Sequence, residues 1–308
     1  MKIVFMGTPD FAVPTLKALI EHHEVVAVFT QTDKKKGRGH KVCPPPIKEL
    51  ALEHDIPVYQ PITLKTEEPQ AILREINPDL IVVVAYGKLL PKAVLELPRY
   101  GCINVHASLL PKYRGAGPIQ WSVLNGETVT GVTTMYMAEG IDTGDMLLKA
   151  ETEIGENETA SELHDRLSEL GAPLLLETLE QLQDGTLKPI AQNDEDATKA
   201  PMLSKEMSQI DFSKDAQLVH NLIRGLSEWP CAQTAVNGKR LKVYRSKVVD
   251  VSENAQAGIL LSDKELMIAC GNNTTIELVE VQYEGSKRMG GADFLRGQRL
   301  EKGTQFGE

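Results

Sequence analysis

The sequence predicts an α/β chain, with a helix-covered parallel sheet in its first part and a small β-barrel in its last. Three observations predict this. Short apolar runs alternate with amphipathic helical patterns from residue 2 to residue 182, a polar stretch interrupted by prolines follows Leu187, and the rest of the chain carries short β-rich runs separated by turn residues.

The elements follow in order. Residues 2–6 form an apolar run ended by Gly7, and beyond Asp10 the residues Val13, Leu16, Leu19 and Ile20 recur at helical spacing. Residues 24–30 read as a second strand, 47–54 as a helix, Val58 as the start of a short extended piece, and 67–76 as a helix before the buried run 80–85. Residues 102–106 and 132–137 supply further strands, and 160–182 is a long amphipathic helix with Leu163, Leu167, Leu170, Leu174 and Leu175 on its apolar face. Alternating strands and helices imply βαβ units in a Rossmann-like sheet, whose ligands bind beyond the carboxyl ends of the strands. The run 189–202 lacks periodicity and reads as a linker. After a helical stretch at 216–226 come strands at 234–236, 241–249, 258–261, 266–270 and 275–283, spaced as in a small OB-like barrel. The expected division is a first domain at 1–188, a linker at 189–208 and a barrel at 209–308.

Composition narrows the function. The 308 residues are 42% hydrophobic and 25% charged, ordinary values for a folded chain of about two domains at roughly 150 residues each. The longest apolar run, 80–86, is far below the roughly 20 residues that span a bilayer, and the run at 3–6 is too short for a signal peptide. A soluble, cytoplasmic chain is expected. Cys43, Cys102, Cys231 and Cys270 show no CxxC spacing, which fits reduced thiols and no zinc site. The net charge of −10 resides in residues 1–204, with 19 basic and 29 acidic side chains, because residues 205–308 hold 14 of each. Such a total argues against nonspecific coating of nucleic acid, yet local clusters can still grip phosphates because salt screens distant charges. One cluster is Lys34, Lys35, Lys36, Arg38 and Lys41, and the other is Lys239, Arg240, Lys242, Arg245 and Lys247.

The glycine-rich signals exclude two classes. Gly7-Thr8-Pro9-Asp10 lacks the further glycines of a dinucleotide fingerprint, and neither a phosphate-binding GxxxxGK[ST] loop nor an HExxH metal motif occurs. The densest segment runs from Asn104 to Gly115. A strand from Cys102 puts Asn104 and His106 on one face at its carboxyl end. The glycine-flanked loop 139–144 carries Asp142, which could reach His106. An amide, an imidazole and a carboxylate without a nucleophilic Ser or Cys suit acyl transfer by direct attack of an external amine. The amide would stabilise an oxyanion, the imidazole would handle protons and the carboxylate would support the imidazolium.

The strings Gly7 to Pro14, Asn104 to Gln120 and Gly140 to Gly144, with Trp229-Pro230, resemble the methionyl-tRNA formyltransferase family over essentially the whole chain. Residues 108–115 alone are shared with the wider formyltetrahydrofolate-dependent formyltransferases and hydrolases. The resemblance implies transfer of a formyl group from 10-formyltetrahydrofolate to the α-amino group of methionyl initiator tRNA. It implies catalysis by Asn104, His106 and Asp142 and no metal. Folate would lie against Tyr86, Gly87, Leu90 and the turn Ser108, Leu109, Leu110, Pro111, and the insertion 33–46, with Arg38 foremost, would grip the acceptor stem. On that basis residues 1–188 would be catalytic, 209–308 would bind tRNA, and the protein would act as a monomer. Two basic features agree with an RNA partner. Gly37 and Gly39 allow close approach to a backbone, and the second cluster alternates along a strand so that several cations share a face. A formyltransferase acting on an amino sugar nucleotide or another small amine, or a formyltetrahydrofolate hydrolase, would need the same trio but gives no reason for the basic loop. An RNA-binding protein without catalysis leaves the trio unexplained.

Overall fold

The computed structural model describes residues 1–36, 41–251 and 253–307, with backbone alone for Lys35, Lys36 and Lys41. Arg38, singled out above, lies outside the described residues. The chain forms two compact units, and the division does not fall at one point in the sequence. Met1–Gly115, Thr130–Thr152 and His164–Ala200 make the first, while Ala116–Val129, Glu153–Leu163 and Pro201–Glu308 make the second.

The elements run β1 (Lys2–Gly7), α1 (Val13–His22), β2 (Glu24–Phe29), β3 (Lys34–Lys36), β4 (Lys41–Cys43), α2 (Pro46–Glu53), β5 (Val58–Tyr59), α3 (Glu67–Ile76), β6 (Leu80–Val84), α4 (Lys92–Leu95), β7 (Cys102–His106) and β8 (Arg114–Gly115). They continue with α5 (Pro118–Leu124), β9 (Val129–Tyr136), β10 (Met146–Glu153), α6 (Ala160–Asp184) and β11 (Lys199–Ala200). The first unit is built on a seven-stranded sheet in the order β10-β9-β7-β6-β1-β2-β5. Strands β5, β2, β1, β6 and β7 are parallel. All of β6 is buried, as a continuous apolar run in a two-sided sheet must be.

Strand β9 departs from the parallel expectation and pairs antiparallel with β7. A parallel neighbour needs a crossover helix on the sheet, and the intervening helix α5 is committed to the second unit. The segment read as a linker belongs to the first unit up to Ala200 and to the second from Pro201. Ile190 exchanges backbone hydrogen bonds with Met146 at 2.9 and 2.8 Å, and β11 pairs with β8.

The second unit contains α7 (Ala216–Gly225), β12 (Ala232–Val236), β13 (Lys239–Val249), β14 (Met267–Ala269), β15 (Thr275–Tyr283), β16 (Met289–Gly290) and α8 (Gly291–Gln298). The expected barrel strands form an antiparallel sheet, β12-β13-β15-β14, with β16 on β15. The expected strand at 258–261 makes only isolated bridges, Ile259 to Gln305 and Leu260 to Ile268. Phe212, Ile223, Leu241, Val243, Leu278, Val281, Phe294 and Phe306 fill this unit's core.

Strand β13 carries a register shift on each side of Arg245 in its pairing with β15. Leu241 and Val243 point inward before it, and Tyr244 and Ser246 are buried after it. A strand has a strict period of two, so an unbroken β13 would turn Arg245 and Lys247 to the face opposite Arg240 and Lys242. The shift puts all four on the outer face.

Candidate active site

Strand β7 ends at the carboxyl edge of the sheet with His106, and its period of two puts Asn104 on the same face. His106 is 6% exposed and both of its ring nitrogens face acceptors. Nε2 donates to the Tyr113 carbonyl at 3.0 Å, and Nδ1 lies 3.7 Å from Asp142 Oδ2. That oxygen also accepts the Gly115 N–H at 2.8 Å. Asn104 is half-buried, and its amide has no hydrogen-bond partner among the described residues. The trio expected from the sequence is therefore brought together, with the amide left available.

Backbone geometry explains the placement of Asp142. It sits in the loop between β9 and β10 at φ +52°, a left-handed conformation that side chains rarely adopt. Gly144 closes the loop where a Cβ would collide with the Tyr136 carbonyl. Gln192 Nε2 then donates to the carbonyls of Asp142 at 2.8 Å and Gly144 at 2.7 Å.

The turn after β7 is fixed by internal bonds. Ser108 Oγ donates to the Lys112 carbonyl at 2.7 Å, and Thr133 Oγ1 donates to the Ser108 carbonyl at 2.6 Å while accepting from the Leu110 N–H at 3.2 Å. Lys149 Nζ donates to the Leu110 carbonyl at 2.6 Å. Ser108 and Leu110 are fully buried, so these two side chains brace the turn, whereas Leu109 and Pro111 are half-buried. Tyr86 and Leu90 belong to an apolar cluster with Met6, Phe29 and Val94. The Tyr86 carbonyl accepts from Thr8 Oγ1 at 3.2 Å and Gln31 Nε2 at 3.0 Å, which gathers the ends of β1, β2 and β6. Its hydroxyl is buried without a partner among the described residues, and burial pushes it up to about 12. Gly87, at φ +73°, lies against Gln31 where a Cβ would collide.

The basic residues are less uniform than the sequence suggests. Lys34 donates to Gln31 Oε1 at 2.9 Å, and the base of the β3–β4 hairpin is anchored by Asp33, which takes Lys48 Nζ at 2.9 Å and Gln60 Nε2 at 2.8 Å. The Gln60 and Lys48 donors hold the Asp33 carboxyl below its usual range. On β13, Arg240 is exposed and Lys242 half-exposed, but Arg245 pairs with Glu162 at 2.6 Å and Lys247 with Glu277 at 2.8 Å. Lys239 Nζ stands 5.8 Å from the Tyr283 ring centroid. Among the described residues no group of three or more His, Cys, Asp or Glu could hold a metal ion, and no helix is long and apolar enough to cross a membrane.

Sequence reasoning missed the Tyr113 carbonyl, Thr133, Lys149 and Gln192. A carbonyl carries no side-chain signal, Thr133 lies in a run read only as strand, Gln192 in one read as linker, and Lys149 in a stretch that gave no reading.

Comparison with known proteins gives concordant results. Residues 1–179 match the formyl transferase family and residues 202–299 the formyl transferase C-terminal domain. The methionyl-tRNA formyltransferase of Alkaliphilus oremlandii is 51% identical over 311 residues, covering 100% of both chains. That of Caldanaerobacter subterraneus is 52% identical over 308 residues, covering 99% of each. In fold, the chain resembles an N-formyltransferase from Helicobacter canadensis solved with folinic acid and dTDP-3-aminofucose. The TM-score is 0.69 at 21% identity, covering 92% of this chain and 99% of that one. With a family match over more than half its length and half-identical relatives along all of it, the chain belongs to the formyl transferase family and, within it, to the methionyl-tRNA formyltransferases.

Proposed function

We propose that this chain transfers the formyl group of 10-formyltetrahydrofolate to the α-amino group of methionine esterified to initiator tRNA, by direct attack of the amine. The observation that carries the mechanism is the imidazole of His106 between two acceptors, with the unpartnered Asn104 amide on the same strand face. When bound, the folate supplies an activated formyl carbon. Asn104 donates to the oxygen that gains charge as the amine adds, and His106 accepts the amine's proton. Asp142 faces the resulting imidazolium. As the bond to the folate nitrogen breaks, that proton is delivered to the leaving nitrogen, so the cycle ends with His106 as it began.

A folate donor fits the unpartnered polar groups at the strand ends, the Asn104 amide and the Tyr86 hydroxyl. It is also supported by the folinic acid bound to the Helicobacter canadensis protein. Contacts with Gly87, Leu90, Leu109 and Pro111 and the turn braced by Ser108 and Leu110 complete this reading. RNA would be gripped by Lys34, Lys35, Lys36, Arg38 and Lys41 of the insertion 33–46 and by Lys239, Arg240 and Lys242 on β13. Arg245 and Lys247 would add charge only after exchanging their carboxylate partners. We further assign catalysis to residues 1–188 and tRNA contacts to 209–308. The test is release of tetrahydrofolate from formyltetrahydrofolate with charged initiator tRNA, an amino sugar nucleotide or no acceptor. Release confined to the tRNA reaction is expected, and release without an acceptor would mark a hydrolase.

A further inference from the structure

We propose that the segment 189–200 is a strap that positions the catalytic histidine's partners, with Gln192 and Thr198 as its positioning residues. The proposal rests on reading His106 and Asp142 as the proton-handling pair. The segment lies between the two family matches, which end at 179 and resume at 202, and by sequence it is only a polar linker.

Strain and hydrogen bonding at His106 carry the argument. Its two partners, Tyr113 at φ +63° and Asp142 at φ +52°, are both non-glycine residues in the left-handed region. That conformation crowds the Cβ and persists only where the surroundings impose it. The strap makes a contact at each. Thr198 Oγ1 accepts the Tyr113 N–H at 2.8 Å, and the Thr198 carbonyl accepts the Arg114 N–H at 2.9 Å. Ala200 pairs with Gly115, whose own N–H holds the Asp142 carboxylate. Gln192 spans the other side, donating to the Asp142 and Gly144 carbonyls while its Oε1 accepts Arg114 Nε at 2.9 Å. A guanidinium only donates and carbonyls only accept, so the orientation of this amide follows from its partners. Arg114 is clamped in turn by Asp194 at 2.9 Å. Thus Thr198 holds the residue whose carbonyl meets Nε2, and Gln192 holds the residue whose carboxylate faces Nδ1.

The experiment compares Gln192→Ala, Thr198→Val and Thr198→Ser in the full chain, with kcat, both KM values and the pH–rate profile for formyl transfer to charged initiator tRNA. Loss of a residue that orients a catalytic group is expected to lower kcat about 10- to 100-fold, as for small misplacements of reacting groups. Both KM values should stay within about threefold, and the pH–rate profile should change in the same sense as in Asp142→Asn. Thr198→Val should behave like Gln192→Ala, and Thr198→Ser, which keeps the hydroxyl, should restore kcat. Added to Asp142→Asn, Gln192→Ala should cost less than about threefold, because the group it positions is already disabled. A wild-type kcat and pH profile in Gln192→Ala beside a crippled Asp142→Asn overturns the strap, as does an effect confined to KM. An active Asp142→Asn overturns the site reading instead. If Gln192→Ala does not fold, the Thr198 pair decides, and failure of serine to rescue valine counts against the proposal.

Discussion

Replacing Asp142 with asparagine removes one charge and little else. Asparagine is among the side chains that best tolerate a left-handed backbone, so φ +52° is retained, and its carbonyl oxygen can still accept the Gly115 N–H. What disappears is a carboxylate 3.7 Å from His106 Nδ1 in a site where the two side chains are 6% and 17% exposed. Opposite unit charges at that distance interact by about 4.5 kcal/mol at an effective dielectric of about 20. In the proposed mechanism the imidazolium forms as the amine adds, so the loss falls on the transition state. With relaxation and partial solvation taking up to half, about 2 to 4 kcal/mol remains, or about 30- to 1,000-fold in kcat. The assay is tetrahydrofolate release under saturating charged tRNA, with thermal unfolding measured on the same preparation. A folded variant whose kcat stays within threefold of the parent chain refutes the electrostatic role.

His106→Ala should lower kcat by about 10²- to 10⁴-fold while a folate titration shows unchanged affinity. Arg38→Ala should weaken use of charged tRNA about 5- to 150-fold in kcat/KM, less at high salt, with folate binding and Tm unaltered; equal losses for folate and tRNA would assign the loop to the folate site. Tyr86→Phe deletes a hydroxyl with no partner among the described residues, so stability should change by less than about 1 kcal/mol while the folate Kd rises about 2- to 10-fold. Because burial raises the Tyr86 hydroxyl from 10.0 to about 12, its contribution to stability is full below 10 and lost as pH rises through about 12, a limb absent from Tyr86→Phe in urea titrations. Arg245 and the Thr159 donors lower Glu162 from 4.5 to about 2, so its contribution is full above 4.5 and lost as pH falls through about 2. The pair is half-exposed and worth about 1 kcal/mol, so the Tm deficit of Glu162→Gln should shrink across that window.

The features legible in the sequence are those written in local periodicity or in turn chemistry. Helix α3 and strands β7 and β15 fall where the pattern put them, because α3 has a helical period and the two strands are short runs rich in β-branched residues, each with a clear stop. Helix α8 escaped notice since its apolar anchors, Phe294 and Leu295, are adjacent and define no face. Strand β10 escaped as well, with burial concentrated in Met146 and Leu147 and a charged remainder. The alternation along β13 gave Arg240 and Lys242 the right face, but only the pairing partner sets where the register slips.

By itself the sequence determined the α/β alternation and the β-rich end, and it put Asn104 and His106 on one strand face and Asp142 in a glycine-flanked loop, because these are local properties. Tertiary structure decided what those residues face. The antiparallel pairing of β9, the carboxylates that hold Arg245 and Lys247, and the contacts of Gln192 and Thr198 are pairings across long stretches of chain, and the Tyr113 carbonyl meets His106 only in the fold of the turn after β7. A polar run such as 189–200 carries no period to mark its partners, since its hydrogen bonds go to backbone atoms that every residue type presents alike.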